Sequence, residues 1–383
     1  MRKTLALLLA LLLAVSGAAL AEDEEEDYSI PDLIEESVIL TDDGEEIPDE
    51  TVPESIFESD GSRLITLTAT GDFTIGGDSR KPSKNLFEKE LERQKGDIHF
   101  PMRNVRDILL GDDLTIVNFE GTLTESTYIP AEKRGNQFLF SAPPDYVTIL
   151  SENGVEAVAL ENNHVMDHGE EALLDTKQAL DSVGIVWSDS ARVGVIEVKG
   201  VQIAMLSYLC IDRYESLWTK VEEDIKAAKR RYSLVIVSFH WGNEKDYAPT
   251  KNQIRMGRSA VDWGADLVLG HHSHRMNPIE CYNGVYICYS LGNFCFAGNN
   301  RPDDMTSFIF QTRFRVREGE EGEEITNEGF RIIPIRISSR TDRNDFIPTV
   351  LTKPTSIDSV LTTLRANGRK LEYAVESYPL DWE

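Results

Sequence analysis

Val155-Glu156-Ala157-Val158-Ala159-Leu160-Glu161-Asn162-Asn163-His164-Val165-Met166-Asp167-His168-Gly169 is the stretch around which the rest of the chain is ordered. Val155 to Leu160 has the length and valine content of a buried strand, and it stops at two amides, an imidazole and a carboxylate. A helical pattern starts at Gly169. In an α/β protein such a strand-to-helix turn lies at the carboxyl edge of the sheet, where ligands bind. Asn163 offers a neutral oxygen, and His164 a nitrogen able to ligate a metal or carry a proton. Asp167 either holds that imidazole or caps the following helix.

The same arrangement recurs on both sides of this stretch. Leu64 to Thr70 is rich in β-formers and runs into Gly71-Asp72; Leu114 to Val117 runs into Asn118-Phe119-Glu120. Leu234 to Phe239 ends at His240-Trp241-Gly242, and Asp266 to Gly270 ends at His271-His272-Ser273-His274. Helical patterns lie between them, at about Met102–Leu110, Asp145–Glu152, Glu170–Ser182, Leu217–Arg231 and Asn252–Trp263. Lys199-Gly200 joins a hairpin of Val193 to Val198 and Val201 to Tyr208. Strand, ligand-type residue, helix, strand is the signature of an α/β fold with a mostly parallel sheet. From Ile279 to Ile337 hairpin-like strands take over, split by Asn283-Gly284 and an acidic loop at Glu318–Glu324, and predict a second sheet packed on the first. A last helix, Ser356 to Asn367, is expected on the outside.

Six of the seven histidines fall in the strand-end segments, with only His99 elsewhere. Five strand ends thus offer Asp72, Glu120, Asn163 with His164, His240, and His272 with His274. Mixed carboxylate, amide and imidazole donors suit divalent ions of borderline hardness such as Mn, Fe or Zn. A bridged pair of such ions lowers the pKa of a bound water and clamps a transferring phosphoryl or acyl oxygen. No Gly-x-Ser-x-Gly elbow and no phosphate-cradling Gly-rich loop with Lys-Ser/Thr is present.

Residues 1–21 carry Arg2 and Lys3, an apolar run and Ala19-Leu20-Ala21, the pattern of a secretory signal cleaved after Ala21. The mature protein is then expected to be soluble and outside the cytoplasm, with no spanning segment left. Residues 22–60 hold 18 Asp plus Glu and no Lys or Arg, the composition of a disordered acidic spacer in which Ile30 to Leu40 is a short amphipathic piece. Removing these carboxylates and the two N-terminal cations from the net charge of −27 leaves −11 on residues 61–383. That excludes the basic stripe of a nucleic-acid binder. It also means that a polyanionic ligand needs metal ions, or the Arg80–Lys84 and Lys133–Arg134 loops, to approach. Four cysteines remain; Cys281 and Cys288 flank Asn283-Gly284 and are either a disulfide across a hairpin or buried thiols.

Gly71-Asp72, Asn118-Phe119-Glu120, Asn162-Asn163-His164-x-x-Asp167-x-Gly169, His240-Trp241-Gly242, Gly270-His271-His272-Ser273-His274 and Tyr289-Ser290-Leu291-Gly292-Asn293-Phe294 together resemble the bacterial capsule-synthesis protein family of the CapA type, associated with poly-γ-glutamate. That family is similar to calcineurin-like metallophosphoesterases, and the resemblance covers about residues 63–300. It implies a four-layer α/β sandwich, two stacked mixed sheets flanked by helices, over residues 61–345, with 346–383 packed on it as helix and tail. By the same likeness Asp72 binds a first metal, Glu120 bridges, Asn163, His240 and His272 bind a second, and His274 returns to the first. His164 gives a proton to the leaving group or stabilises the transition state, Asp167 orients it, and Ser290 to Phe294, with Asn293 facing substrate, shapes the site from below. Thr74 stands where metallophosphoesterases carry the histidine of Asp-x-His, and Glu120 where they carry a bridging aspartate. His271 and His168 receive no role at the metals and are expected behind the ligands or in solvent. The function implied is metal-dependent hydrolysis or transfer on a phosphoester or an anionic polymer, beside membrane-bound machinery of polymer synthesis. The alternative is a non-catalytic polymer-binding or export component using the metal for structure or carboxylate binding.

Overall fold

A computed structural model of the chain describes residues 56–78, 80–81, 85–134, 138–320 and 322–382. The expected signal and acidic spacer lie outside the described residues, apart from the last five spacer positions. Residues Val52–Glu383 form one compact unit.

Two large mixed sheets carry the fold. The first, eight-stranded, has Arg63–Thr74 at its centre, with Leu114–Phe119, Ala157–Ala159 and Val186–Ser188 following in parallel on one side. On the other side Arg63–Thr74 pairs antiparallel with Thr306–Gly319, which continues through Gly322–Arg336 to Thr349–Val350. Asn293–Phe296 adds in parallel at the carboxyl end of Arg63–Thr74. The second sheet, six-stranded, runs in the order Ile279–Tyr282, Val285–Cys288, Leu267–His271, Leu234–His240, Val201–Leu209, Gly194–Val198. A small third sheet joins Gly77–Asp78, Phe140–Ala142 and Thr122–Leu123.

Strands buried on both faces read as unbroken apolar runs, because alternate side chains enter different cores. Leu234 and Ile236 pack into the core that also takes Leu67, Ala69, Leu114 and Ile116 of the first sheet. Val235, Val237 and Phe239, on the opposite face, pack with Val221, Ile225, Met256 and Ala260 of the helices Tyr214–Lys229 and Lys251–Trp263. Phe73, Val117 and Phe119 meet Ala179 and Leu180 of the helix Gly169–Ser182. The helix Lys251–Trp263 opens with a Thr250/Gln253 capping box and closes on Gly264 in a left-handed conformation, so both ends are satisfied locally.

Two expectations are corrected, and the alternatives left open for Cys281 and Cys288 are decided. The C-terminal hairpin Thr306–Arg336 joins the first sheet, and the second sheet is built from the middle of the chain. An apolar run specifies burial, not which sheet a strand enters. The helix Pro354–Gly368 is not merely external: Val360, Leu361 and Leu364 are buried in the core shared by the two sheets. Cys281 pairs with Tyr286 and Cys288 with Ile279 across their hairpin, so the two thiols do not face each other, and all four cysteines are free. Among the described residues no helix is long and apolar enough to cross a membrane.

Candidate metal centre

The ends of both sheets converge. Asp72 is fully buried in its strand, in register with Asn118 on one side and Asn293 on the other. Period-two alternation puts Glu120 on the face of Asn118. The chain then crosses from the second sheet to the first through Tyr289–Gly292. Gly71 permits this crossing, because a Cβ there would fall 2.0 Å from the carbonyl oxygen of Gly292, which accepts the Asp72 backbone N–H at 2.8 Å.

Asp72, Glu120 and His274 bring one ligand atom each within 4.8 Å of one another. Both carboxylates are fully buried. Asn118 donates its Nδ2 to Asp72 Oδ1 at 2.9 Å and lies 3.4 Å from Nδ1 of His240. His240 Nε2 stands 3.0 Å from Nδ1 of His272, and the rings of His272 and His274 are 6.2 Å apart. His274 Nδ1 is 2.9 Å from Oδ1 of Asn293 and 2.9 Å from Oδ2 of Asp72. One ring proton cannot serve both, and Asp72 Oδ2 is left without a hydrogen bond. His164 places Nδ1 2.7 Å from Asp167 Oδ2 and Nε2 3.7 Å from Glu120 Oε1. Asn163 adds a buried amide oxygen with no partner.

His272 and His274 have φ of +89° and +55°, a left-handed backbone unfavourable for residues with a Cβ. Such strain costs about 1–3 kcal/mol per residue and is characteristic of functional sites.

The electrostatics are those of charges awaiting a partner. Burial pushes the Glu120 carboxyl up to about 7, and the charge of Asp72 adds to the effect. Burial also opposes ionisation of Asp72, but His271 and His274 outweigh it and hold the carboxyl well below the usual range. His274 is lifted to about 9: burial works against the cation, and Glu120 and Asp72 prevail. Burial and the neighbouring His272 keep His240 neutral, and burial with His274 lowers His272 to about 4.

Asp72 Oδ2, both oxygens of Glu120 and Oδ1 of Asn118 and Asn163 are all buried without hydrogen-bond partners. Five buried orphan oxygens beside a cluster of imidazoles are costly unless a cation takes them up. The donor set therefore fits a divalent ion.

The sequence reading missed several neighbours. Asn118 ties Asp72 to His240, and alternation from Glu120 points to it. Of the two histidines placed behind the ligands or in solvent, both are buried: His271 has an unpartnered Nδ1 3.5 Å from Asp72 Oδ1, and His168 Nδ1 lies 2.8 Å from the Tyr128 carbonyl. Phe140 packs its ring on His164 at 4.6 Å, as Phe296 does on His274 at 4.8 Å. Glu244, exposed after the strand Leu234–His240, acts electrostatically on Glu120, His272 and His274. Lys133, one of the loop cations offered beside metal ions as a contact for a polyanion, is ion-paired with Asp167 at 2.9 Å.

Residues 66–298, which contain every one of these site residues, match the family model for the bacterial capsule synthesis protein PGA_cap. The chain belongs to the PGA_cap family. It is 33% identical over 254 residues to the PGA biosynthesis protein CapA of Bacillus subtilis (strain 168), covering 61% of this chain and 63% of that protein. It is 29% identical over 273 residues to the capsule biosynthesis protein CapA of Bacillus anthracis, covering 65% and 64%. The chain thus spans less than two thirds of the length of either relative. Among solved structures, TT1561 of Thermus thermophilus aligns with 69% of this chain and 99% of its own at 10% identity, with a TM-score of 0.33, too slight a likeness to argue from.

Proposed function

We propose that this PGA_cap member acts in the synthesis or processing of capsular poly-γ-glutamate outside the cytoplasm. In this reading it is a divalent-metal-dependent hydrolase or transferase built as a four-layer metallophosphoesterase-like sandwich. The observation that carries the reading is the pair of fully buried carboxylates, Asp72 and Glu120, with three of their four oxygens unpartnered beside His274. Asp72, Glu120 and His274 would hold one ion, and Asn163, His240 and His272 a second bridged through Glu120. Bound there, divalent ions supply Lewis acidity toward a phosphoryl or γ-glutamyl carbonyl oxygen and ease deprotonation of a water. His164, with Nδ1 on Asp167 and Nε2 turned to the site, gives its Nε2 proton, from the imidazolium that Asp167 stabilises, to the leaving oxygen or nitrogen and returns to the Nδ1-protonated ring. Phe140 and Phe296 cover the faces of His164 and His274 against water, and Asn293 keeps His274 in its tautomer.

The test is metal analysis of the full chain purified without chelator. At least one divalent ion per chain is expected, removed by Asn163→Ala with His272→Ala; a metal-free wild type overturns the reading. Hydrolysis of an aryl phosphate diester or a γ-glutamyl oligomer should vanish in His164→Ala with the metal retained. One observation favours a second reading. Thr74, buried with an unpartnered Oγ1, replaces a histidine of the metallophosphoesterase pattern and leaves the first ion three protein ligands. Metal retained without turnover on either substrate would make the chain a non-catalytic component that grips polymer carboxylates.

A further inference from the structure

Asp167 is fully buried and 34 residues from its cationic partner. Its Oδ1 accepts from Nζ of Lys133 at 2.9 Å, while its Oδ2 accepts from the backbone N–H of Phe140 at 2.7 Å and meets His164 Nδ1 at 2.7 Å. Lys133 ends the short turn Ala131–Lys133 and is 16% exposed at its side chain. The same ammonium donates at 2.6 Å to the backbone carbonyl of Asn163. One cation therefore touches both halves of the turn: the carboxylate that sets the His164 ring, and the backbone of Asn163, whose amide oxygen is buried and unpartnered.

Within the turn itself, His164 N–H donates to Asn162 Oδ1 and Asp167 N–H to the His164 carbonyl. These bonds fix the backbone, but none reaches the Asp167 carboxylate. Its plane is set from outside, by Lys133 and Phe140.

We propose that Lys133 is a positioning residue of the centre. It acts through Asp167 on the orientation and tautomer of His164, and through the Asn163 carbonyl on the amide ligand. The proposal rests on the reading of His164 as proton donor and Asn163 as ligand. Without the ammonium the carboxylate keeps one backbone donor and the imidazole, and is free to turn away from the latter. An arginine keeps the charge and several N–H donors for the two acceptors; a methionine is of similar length and donates nothing.

The test is nitrogen-15 NMR of the full chain in chelator, with the His164 resonances identified by His164→Gln. Wild type and Lys133→Arg are expected to show the Nδ1-protonated tautomer in a slowly exchanging hydrogen bond. Lys133→Met should lose that proton signal and the majority of that tautomer, while the other histidines keep theirs. A folded Lys133→Met chain with the wild-type His164 spectrum overturns the proposal, as does a wild type whose His164 is protonated mainly on Nε2. Should Lys133→Met not fold, Lys133→Leu, which likewise donates nothing, is judged by the same criteria. On Mn²⁺ titration, Lys133→Met is expected to bind about ten- to a hundredfold more weakly, the usual loss when a group supporting a ligand is removed, with Lys133→Arg near wild type. A wild type that binds no Mn²⁺ sinks the metal reading alone, since the NMR comparison is made without metal.

Discussion

Asp72 and Glu120 are neighbours in one cluster and yet are driven in opposite directions: burial and the charge of Asp72 prevail at Glu120, whose imidazoles stand 3.7 and 3.9 Å away, while burial at Asp72 is outweighed by imidazoles at 2.9 and 3.5 Å. A carboxyl far from the centre shows what burial does without any such help. Asp112 precedes the strand Leu114–Phe119; burial, with Glu156 and Asp113 nearby, raises it to about 7 against the hydrogen bonds of Thr68 and Thr115. The sign follows from linkage. A carboxyl that holds its proton more tightly folded than unfolded stabilises the fold below its unfolded pKa of about 4, and that contribution is lost as pH rises through about 7. The urea midpoint of the metal-free chain is therefore expected to fall between pH 4 and 7. Asp112→Asn should flatten that fall and be the more stable chain at pH 8. An Asp112→Asn chain with the wild-type pH slope would show that Asp112 is not the group responsible.

At the level of elements, the strand ends were readable from sequence because a doubly buried strand is an apolar run that stops where polar work begins. Asp72, Glu120, His164, His240 and His272 were all found that way. Pairing was not readable: nothing in the run Leu267 to Leu269 says that its neighbours are Leu234–His240 and Val285–Cys288 and not Arg63–Thr74. Nor was Lys133, whose partner lies far along the chain on another turn. Gly71 is a case where the residue type was visible and its reason was not. It has an ordinary backbone, and what excludes a side chain is the Gly292 carbonyl of the crossing segment. Gly71→Ala is expected to part that segment from the strand, costing about 1–3 kcal/mol or more as overpacking does, and to loosen Asn293 from His274. Gly184→Ala serves as the control: its Cβ meets open space at φ +74°, so only the left-handed penalty of about 1–2 kcal/mol applies. Chemical denaturation with a parallel metal titration separates them. Both variants should lose stability, but only Gly71→Ala should lose metal affinity, and equal affinities would refute the role given to the crossing segment.

For the whole molecule, the ligand candidates divide between the sheets. Asp72, Glu120 and Asn163 come from the first sheet or its strand ends, and His240, His272 and His274 from the second. Apolar packing between the sheets, through residues such as Leu67, Ile116, Ile236 and Leu269, holds the body together regardless of metal. At the ligand end this packing gives way to buried carboxylates and imidazoles, whose repulsions and unmet hydrogen bonds oppose closure. A cation bound there would act as a cross-link between the sheets, and its binding free energy would add to folding as RT ln(1 + [L]/Kd), about 2.7 kcal/mol at a hundredfold excess over Kd. At about 2–4 °C per kcal/mol for chains of 150–250 residues, and toward the lower end for a unit this large, removal should lower Tm by about 5 °C. The expected result is a drop of that size when a metal-loaded chain is treated with EDTA, reversed by excess Mn²⁺, with no EDTA effect on Asn163→Ala/His272→Ala. A loaded wild type whose Tm ignores chelation would mean that the two sheets close over these carboxylates unaided. The orphan oxygens of Asp72 and Glu120 would then have to be satisfied by water, not by a cation.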